Sequence, residues 1–112
     1  MTKVLIKRYD IIYDKSFVAE LRRISIFFIK RLKNSKSANT IIESVMGRIK
    51  ILEDFPFIGK QIIKNKNFEY RKFIIKNYII IYKINLKEKE INILHIYNQK
   101  QKIKNKKEYI KI

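Results

Sequence analysis

Apolar residues in the first half of the chain recur at the spacing of an α-helix. Five of them follow one another at intervals of 4, 3, 4 and 4 residues: Phe17, Leu21, Ile24, Phe28 and Leu32. Residues at this spacing share one helix face, so we expect a helix over about residues 16–33 that buries this face. Either Asp14 or Ser16 can serve as its N-cap, because both side chains carry an oxygen that accepts from free backbone N–H groups.

A second helix follows after a short polar connector at residues 34–37. Its apolar stripe consists of Ala38, Ile41, Val45, Ile49 and Leu52, flanked by Ile42 and Met46. A connector this short predicts that the two helices form an antiparallel hairpin. Pro56 ends the second helix, because the residue before a proline avoids the α region. Gly59 then lets the chain reverse its direction.

The second half of the chain is typical of β-strands. Three runs are dense in Ile, Tyr and Phe, which fit a pleated, half-buried surface; they cover residues 70–75, 78–84 and 91–98. Lys76-Asn77 and residues 86–90 are the expected hairpin turns between them. Residues 4–13 are apolar enough for one further strand, whereas residues 60–68 are basic and polar and predict a loop.

The order of these elements predicts an α+β fold. An N-terminal strand precedes a two-helix antiparallel hairpin, which packs on one face of a small, mainly antiparallel sheet. Strict alternation in the last strand places Ile91, Ile93, His95 and Tyr97 on one face of that sheet.

Composition limits the architecture and the chemistry. At 112 residues the chain suits a single domain, 1–112, in which about residues 102–112 form a basic tail that either frays or orders on a partner. With no Cys and a single His, neither a disulfide framework nor a thiolate or histidine metal site is expected, and no cofactor is implied. No apolar run approaches the roughly 20 residues of a membrane helix, and the first residues lack a signal-peptide pattern. We therefore expect a cytoplasmic protein that does not bind membranes.

Charge is the strongest global feature. The chain has 27 Lys and Arg against 10 Asp and Glu, a formal net charge of +17. Such a charge favours a polyanionic partner, which is a nucleic acid, a ribosome or an acidic protein segment. The alternative is compositional drift, because a sequence this rich in Lys, Ile and Asn is what A/T-biased coding produces.

Segments spread along most of the chain, from about residue 9 to residue 101, resemble the ParE/RelE superfamily of small toxins from bacterial type II toxin–antitoxin systems. In order they are YDIIYDKSF (residues 9–17), LEDFPFIG (52–59), YRKF (70–73), NYIIIYKI (77–84) and INILHI (91–96). Each segment alone is a weak signal, but their order and spacing together are specific for the superfamily. The resemblance implies the same α+β fold and a cognate antitoxin, which we expect to be acidic because the toxin is basic.

The superfamily divides by target, and this chain resembles the ParE branch more closely. RelE-like members cut mRNA in the ribosomal A site, whereas ParE-like members poison DNA gyrase. Ribonuclease members usually carry an arginine directly after the tyrosine that matches Tyr78, and here that residue is Ile79. They also carry an arginine just beyond the last strand, where Gln99, Lys100 and Lys102 are the nearest matches. We therefore expect a gyrase inhibitor, and the alternative is a ribosome-dependent mRNA endonuclease.

The candidate site residues follow from this comparison. A nuclease would draw its catalytic groups from Arg71, His95, Lys100 and Lys102, since RNA cleavage needs a base, an acid and cations at the phosphate. Contacts to a target or to nucleic acid are expected from Arg71, Lys72, Lys76, Tyr78, Gln99 and Lys100. Each has a structural alternative: a cross-strand surface charge for Arg71, a packed histidine for His95, a core tyrosine for Tyr78. A plain nucleic-acid-binding domain or a decayed toxin is the remaining hypothesis, supported by charge alone.

Overall fold

The computed structural model describes residues 8–33 and 35–99. The chain forms a five-stranded sheet and two helices: β1 (Asp10–Tyr13), α1 (Lys15–Leu32), α2 (Ser35–Lys50), a short 3₁₀ turn (Ile51–Glu53), β2 (Lys60–Lys64), β3 (Phe68–Ile75), β4 (Tyr78–Asn85) and β5 (Glu90–Asn98). The strand order is β1-β5-β4-β3-β2. All neighbours are antiparallel except β1, which runs parallel to β5. The predicted α+β fold is therefore confirmed.

Local signals account for the ends of α1. The Asp14 side chain accepts a hydrogen bond from the Ser16 backbone N–H at 3.2 Å, so Asp14 is the N-cap. The helix stops where Lys33 takes a left-handed conformation with φ of 47°, and the Lys33 N–H donates to the Phe28 carbonyl. The second helix begins at Ser35, inside the predicted connector, so the joint between the helices is shorter than expected.

The main core lies between the helices and one face of the sheet, which we call the inner face. Its fully buried side chains come from α1, from α2 with its 3₁₀ turn, and from β4 and β5: Phe17, Val45, Ile49, Leu52, Ile80, Tyr82, Ile84, Ile91, Ile93 and Ile96. On the opposite, outer face a smaller cluster forms around Tyr70, Ile81 and Tyr97. The first three residues of the predicted α1 stripe and the α2 stripe from Ile41 onward therefore pack in this core: Phe17, Leu21, Ile24, Ile41, Val45, Ile49 and Leu52.

The predicted loop at residues 60–68 was wrong for its first half, which forms the edge strand β2. Lys60 lies opposite Lys72, and Ile63 lies opposite Tyr70 on β3. An edge strand pairs on one side only and tolerates lysines, which is why its pattern is typical of a loop. The Asn65 side chain makes the following turn, accepting from the backbone N–H groups of Asn67 and Phe68.

The predicted faces of β5 were also wrong beyond Ile93. Ile81 on β4 lies opposite His95, while the next residue, Tyr82, lies opposite Ile93, so Leu94 is an extra residue in a β-bulge. Because a one-residue shift exchanges the two faces of a strand, Ile96 joins Ile93 in the inner core, and His95 and Tyr97 turn to the outer face.

Two expectations lie outside the described residues: the first part of the predicted strand at residues 4–13, and the basic tail at about residues 102–112. Among the residues that the structure describes, no helix is long and apolar enough to cross a membrane.

Candidate functional site

The turn at Pro56–Gly59 connects the helical hairpin to the sheet, and Tyr82 at the centre of β4 holds it. The Tyr82 hydroxyl donates to the Pro56 carbonyl at 2.8 Å and accepts from the Gly59 N–H at 3.0 Å. The Tyr82 side chain is fully buried. Burial raises the pKa of this hydroxyl to about 12, with a small further rise from Glu69, while the Gly59 hydrogen bond and the nearby Arg71 charge offset only part of the effect. The neutral phenol is therefore the form that the fold stabilises.

Gly59 is required for space and not for a left-handed turn. Its φ is not positive, so the expectation that it is needed for a chain reversal is replaced by a different reason. A Cβ at this position would lie 2.6 Å from the Lys72 carbonyl oxygen and 2.6 Å from the Tyr82 hydroxyl. Only glycine lets the turn come this close to β3 and β4.

Arg71 on β3 braces the same turn through its guanidinium group. Its guanidinium donates to the Glu69 carboxylate, with Nε 2.8 Å from Oε1, to the Phe57 carbonyl at 3.1 Å, and to the Gly59 carbonyl. It also lies over the Phe57 ring, 5.4 Å from the ring centroid. The Arg71 and Glu69 side chains are only 15% and 4% exposed. Arg71, which lies in the segment YRKF that resembles the superfamily, is thus directed into its own fold.

Lys76, Tyr78 and Gln99 meet at the far end of the sheet, where β3 turns into β4. The Gln99 side-chain amide donates to the Lys76 carbonyl at 2.9 Å, and the Gln99 N–H donates to the Asn77 carbonyl at 2.7 Å. Tyr78 is buried, and burial raises the pKa of its hydroxyl. Beside it a cavity of about 340 Å³ opens between the sheet and α1, lined by Arg23, Ile24, Phe27, Phe28, Asn77, Tyr78 and Asn98.

Lys72 and His95 lie on the outer face, in one row across the sheet. Lys60, Lys72, Ile81 and His95 are successive register partners on β2, β3, β4 and β5. The His95 ring stacks on Tyr97 with 5.5 Å between ring centroids, and its Nδ1 lies 3.1 Å from Glu20 Oε1 on α1. This carboxylate contact was not foreseen, because it joins residues 75 positions apart.

The predicted site residues therefore occupy three separate places: Arg71 at the turn, Lys76 with Tyr78 and Gln99 at the hairpin end, and Lys72 with His95 on the outer face. Lys100 and Lys102 lie outside the described residues. Within residues 8–33 and 35–99, no group of three His, Cys, Asp or Glu side chains is placed to hold a metal ion.

A surface that the sequence interpretation missed lies on α1. Four apolar side chains of this helix are between 41% and 50% exposed: Val18, Ile26, Phe27 and Ile29. The exposed basic residues Arg22, Arg23, Lys30 and Arg31 lie among them. The sequence contained a signal for this surface. A helix on a core needs one apolar stripe, and α1 carries further apolar residues outside its stripe.

The fold is shared with solved toxin–antitoxin structures, among them the following three. The archaeal RelE–RelB complex from Pyrococcus horikoshii OT3 matches at a TM-score of 0.64 and 18% identity, covering 85% of this chain and 99% of that one. The chromosomal ParDE toxin–antitoxin system from P. aeruginosa matches at 0.65 and 16%, covering 83% and 98%. The toxin–antitoxin complex RelBE2 from Mycobacterium tuberculosis matches at 0.51 and 14%, covering 81% and 98%. The architecture is that of the RelE/ParE-like toxins.

The sequence gives the family within that class. The model of the family described as "ParE toxin of type II toxin-antitoxin system, parDE" matches residues 11–103. The chain belongs to this family and is a type II toxin. Comparison with curated protein sequences gave no match.

Close packing at Gly59 predicts that Gly59→Ala is destabilising. The added methyl group must displace backbone and a buried ring, and we expect a loss of about 2–4 kcal/mol in the free energy of unfolding, measured by urea denaturation. Gly47→Ala is the matched control, because Gly47 lies within α2 with nothing within 4 Å of an added Cβ. There the same substitution should stabilise by about 0.5–1 kcal/mol. Equal effects at the two glycines would contradict this role for Gly59.

The raised pKa of Tyr82 predicts a loss of stability in alkaline solution. Because the folded-state pKa of about 12 lies above the ordinary value of 10, the contribution is complete below pH 10 and disappears as the pH rises from 10 to 12. The free energy of unfolding should fall by about 2–3 kcal/mol over this range. Tyr82→Phe should lower stability at neutral pH by about 1–3 kcal/mol, because it leaves the Gly59 N–H unpaired, and should flatten the alkaline decline. An unchanged alkaline slope in Tyr82→Phe would exclude Tyr82 as its source.

Proposed function

We propose that this toxin inhibits DNA gyrase by protein–protein contact and is not a ribonuclease. The observation that carries the proposal is the position of Arg71, whose guanidinium is engaged by the Glu69 carboxylate and by the carbonyls of Phe57 and Gly59. An arginine held in this way braces a turn and is not presented to a phosphate. The match to the ParE family model supports the same target.

RNA cleavage needs side chains that in this fold are already engaged in structural contacts. Cleavage by the 2′-hydroxyl needs a general base, a general acid and cationic stabilisation of the phosphate. The Glu69 carboxylate lies against Arg71 and partly neutralises its charge. At the position of the ribonuclease arginine, Ile79 packs against the outer cluster of Tyr70, Ile81 and Tyr97. His95 lies on that face as well, but its ring is held by Glu20 and stacked on Tyr97.

The exposed side of α1 supports a second part of the proposal, an acidic antitoxin segment as the partner of this helix. Phe27 and Ile29 offer apolar contact, and Phe27 borders the cavity beside Tyr78, into which an aliphatic side chain of a partner fits. The basic residues Arg23 and Arg31 flank this surface and match an acidic sequence. An amphipathic segment with a few acidic residues would cover the apolar surface and pair with these charges.

Purified toxin should block supercoiling by gyrase and trap cleaved DNA, while a parallel cell-free translation leaves its messenger RNA intact. Supercoiling gels and primer extension on the message provide the two readouts. Cut mRNA on ribosomes with gyrase unaffected would reject the proposal in favour of the endonuclease, with His95 and the lysines beyond the last strand as its catalytic candidates.

Phe27→Ala should weaken binding of the cognate antitoxin roughly four- to tenfold, because half of the ring is already buried in the free toxin and burying the other half contributes about 0.8–1.5 kcal/mol. Isothermal titration calorimetry measures this change. Phe55→Ala is the control: Phe55 is 63% exposed against 50% for Phe27, but it follows α2 and borders a different cavity, lined by residues 54–58. The α1 assignment fails if both variants bind as tightly as the unmodified toxin, or if Phe55→Ala alone weakens binding.

A further inference from the structure

The last strand of the sheet continues well past its outer neighbour. Strand β1 pairs with β5 only from Asp10 to Tyr13, opposite residues 90–93. The next five residues of β5, Leu94–Asn98, have β4 on one side and, in the described part of the chain, no strand on the other. A bare edge of this kind is a template for pairing with another chain.

Glu20 of α1 covers this edge. Its Oε1 accepts a hydrogen bond from the Ile96 backbone N–H at 3.2 Å and lies 3.1 Å from His95 Nδ1, and its Oε2 lies 3.3 Å from the same nitrogen. Glu20 is the only acidic residue of α1, among five basic ones. A carboxylate therefore satisfies the backbone N–H that a neighbouring strand would otherwise bind.

The need for such a cover follows from the sequence of the edge. The segment Leu94–Asn98 reads LHIYN, rich in the residues that favour strands, with Ile96 and Tyr97 both buried. Further along, space remains beside the strand, because Asn98 lines the cavity that Arg23 and Phe27 of α1 border. Glu20 thus closes the edge at its centre while the end beyond it stays open.

We propose that Glu20 is a guard that keeps Leu94–Asn98 from pairing with the same segment of a second copy of this chain. Identical edges are self-complementary about a two-fold axis, and antiparallel pairing of two β5 strands would use the Ile96 N–H that Glu20 now binds. His95 positions the guard, because its ring is fixed by stacking on Tyr97 and anchors the carboxylate from the outer face. An inward-pointing charged side chain at a strand edge is a known means of preventing edge-to-edge association.

The experiment compares Glu20→Ala with Glu20→Gln and Glu43→Ala. Glutamine keeps an oxygen for the Ile96 N–H, and Glu43→Ala makes the same change of charge at an exposed position of α2. Molecular mass is measured by light scattering over a concentration series in about 1 M salt, where a Debye length of about 3 Å screens the repulsion between basic copies. We expect Glu20→Ala to shift to dimers. Glu20→Gln, Glu43→Ala and the unmodified protein should each remain monomeric.

Amide hydrogen exchange of the unmodified protein provides a measurement that does not require a variant to fold. The Ile96 amide should exchange at least tenfold more slowly than the amide of Lys66, an exposed residue between β2 and β3, although no strand in the described part of the chain pairs with this side of β5. Fast exchange at Ile96 would overturn the proposal. So would a Glu20→Ala protein that stays monomeric, or dimers that form equally in Glu20→Ala and Glu43→Ala.

Discussion

The rest of this structure depends on one buried hydroxyl. The Tyr82 phenol lies at the centre of the sheet and binds both the Pro56 carbonyl and the Gly59 N–H, so it fixes where the helical hairpin returns to the strands. In the low-dielectric interior, leaving the Pro56 carbonyl and the Gly59 N–H without a hydrogen-bond partner would cost free energy of folding. The contact works only because Gly59 has no side chain, and Arg71 closes it from outside. A turn of four residues thereby determines how the two helices lie on the sheet.

That constraint also decides which residues remain available for function. Arg71, the most plausible phosphate-binding residue on sequence grounds, is committed to the Phe57 and Gly59 carbonyls and to Glu69. Part of what the fold presents to solvent is apolar: Phe55, Phe57 and Ile58 at the turn, and Phe27 among the exposed basic residues of α1. A protein that uses Arg71 to brace a turn and exposes these apolar side chains is better suited to binding other proteins than to phosphate chemistry. For this reason we propose a gyrase inhibitor and not a nuclease.

Much of the fold could be predicted because its signals are local. The intervals between Phe17 and Leu32 predicted α1 to within one residue at each end, and Asp14 was correctly proposed as a possible cap. Strand β2 was missed because an edge strand, paired on one side only, shows no strong alternation of apolar and polar residues. The bulge at Leu94 was missed because the register of β5 depends on its partner strand β4. The site was harder to predict. Glu69 and Arg71 are two residues apart on a strand and share a face, so their ion pair could have been recognised. The contacts of Arg71 with the carbonyls of the distant turn could not.

The placement of the acidic residues bears on whether the net charge of +17 is drift or function. Several described carboxylates have a structural partner: Asp14 caps α1, Glu20 covers the β5 edge, Asp54 pairs with Arg8, and Glu69 pairs with Arg71. Compositional drift toward lysine would not by itself place Asp and Glu residues at these positions, whereas their structural contacts explain why they stand there. The basic residues along α1 are by contrast exposed, and their mutual repulsion persists in the free toxin. An acidic partner would relieve that repulsion on the same surface where it covers Phe27 and Ile29, so charge and apolar exposure indicate one binding face.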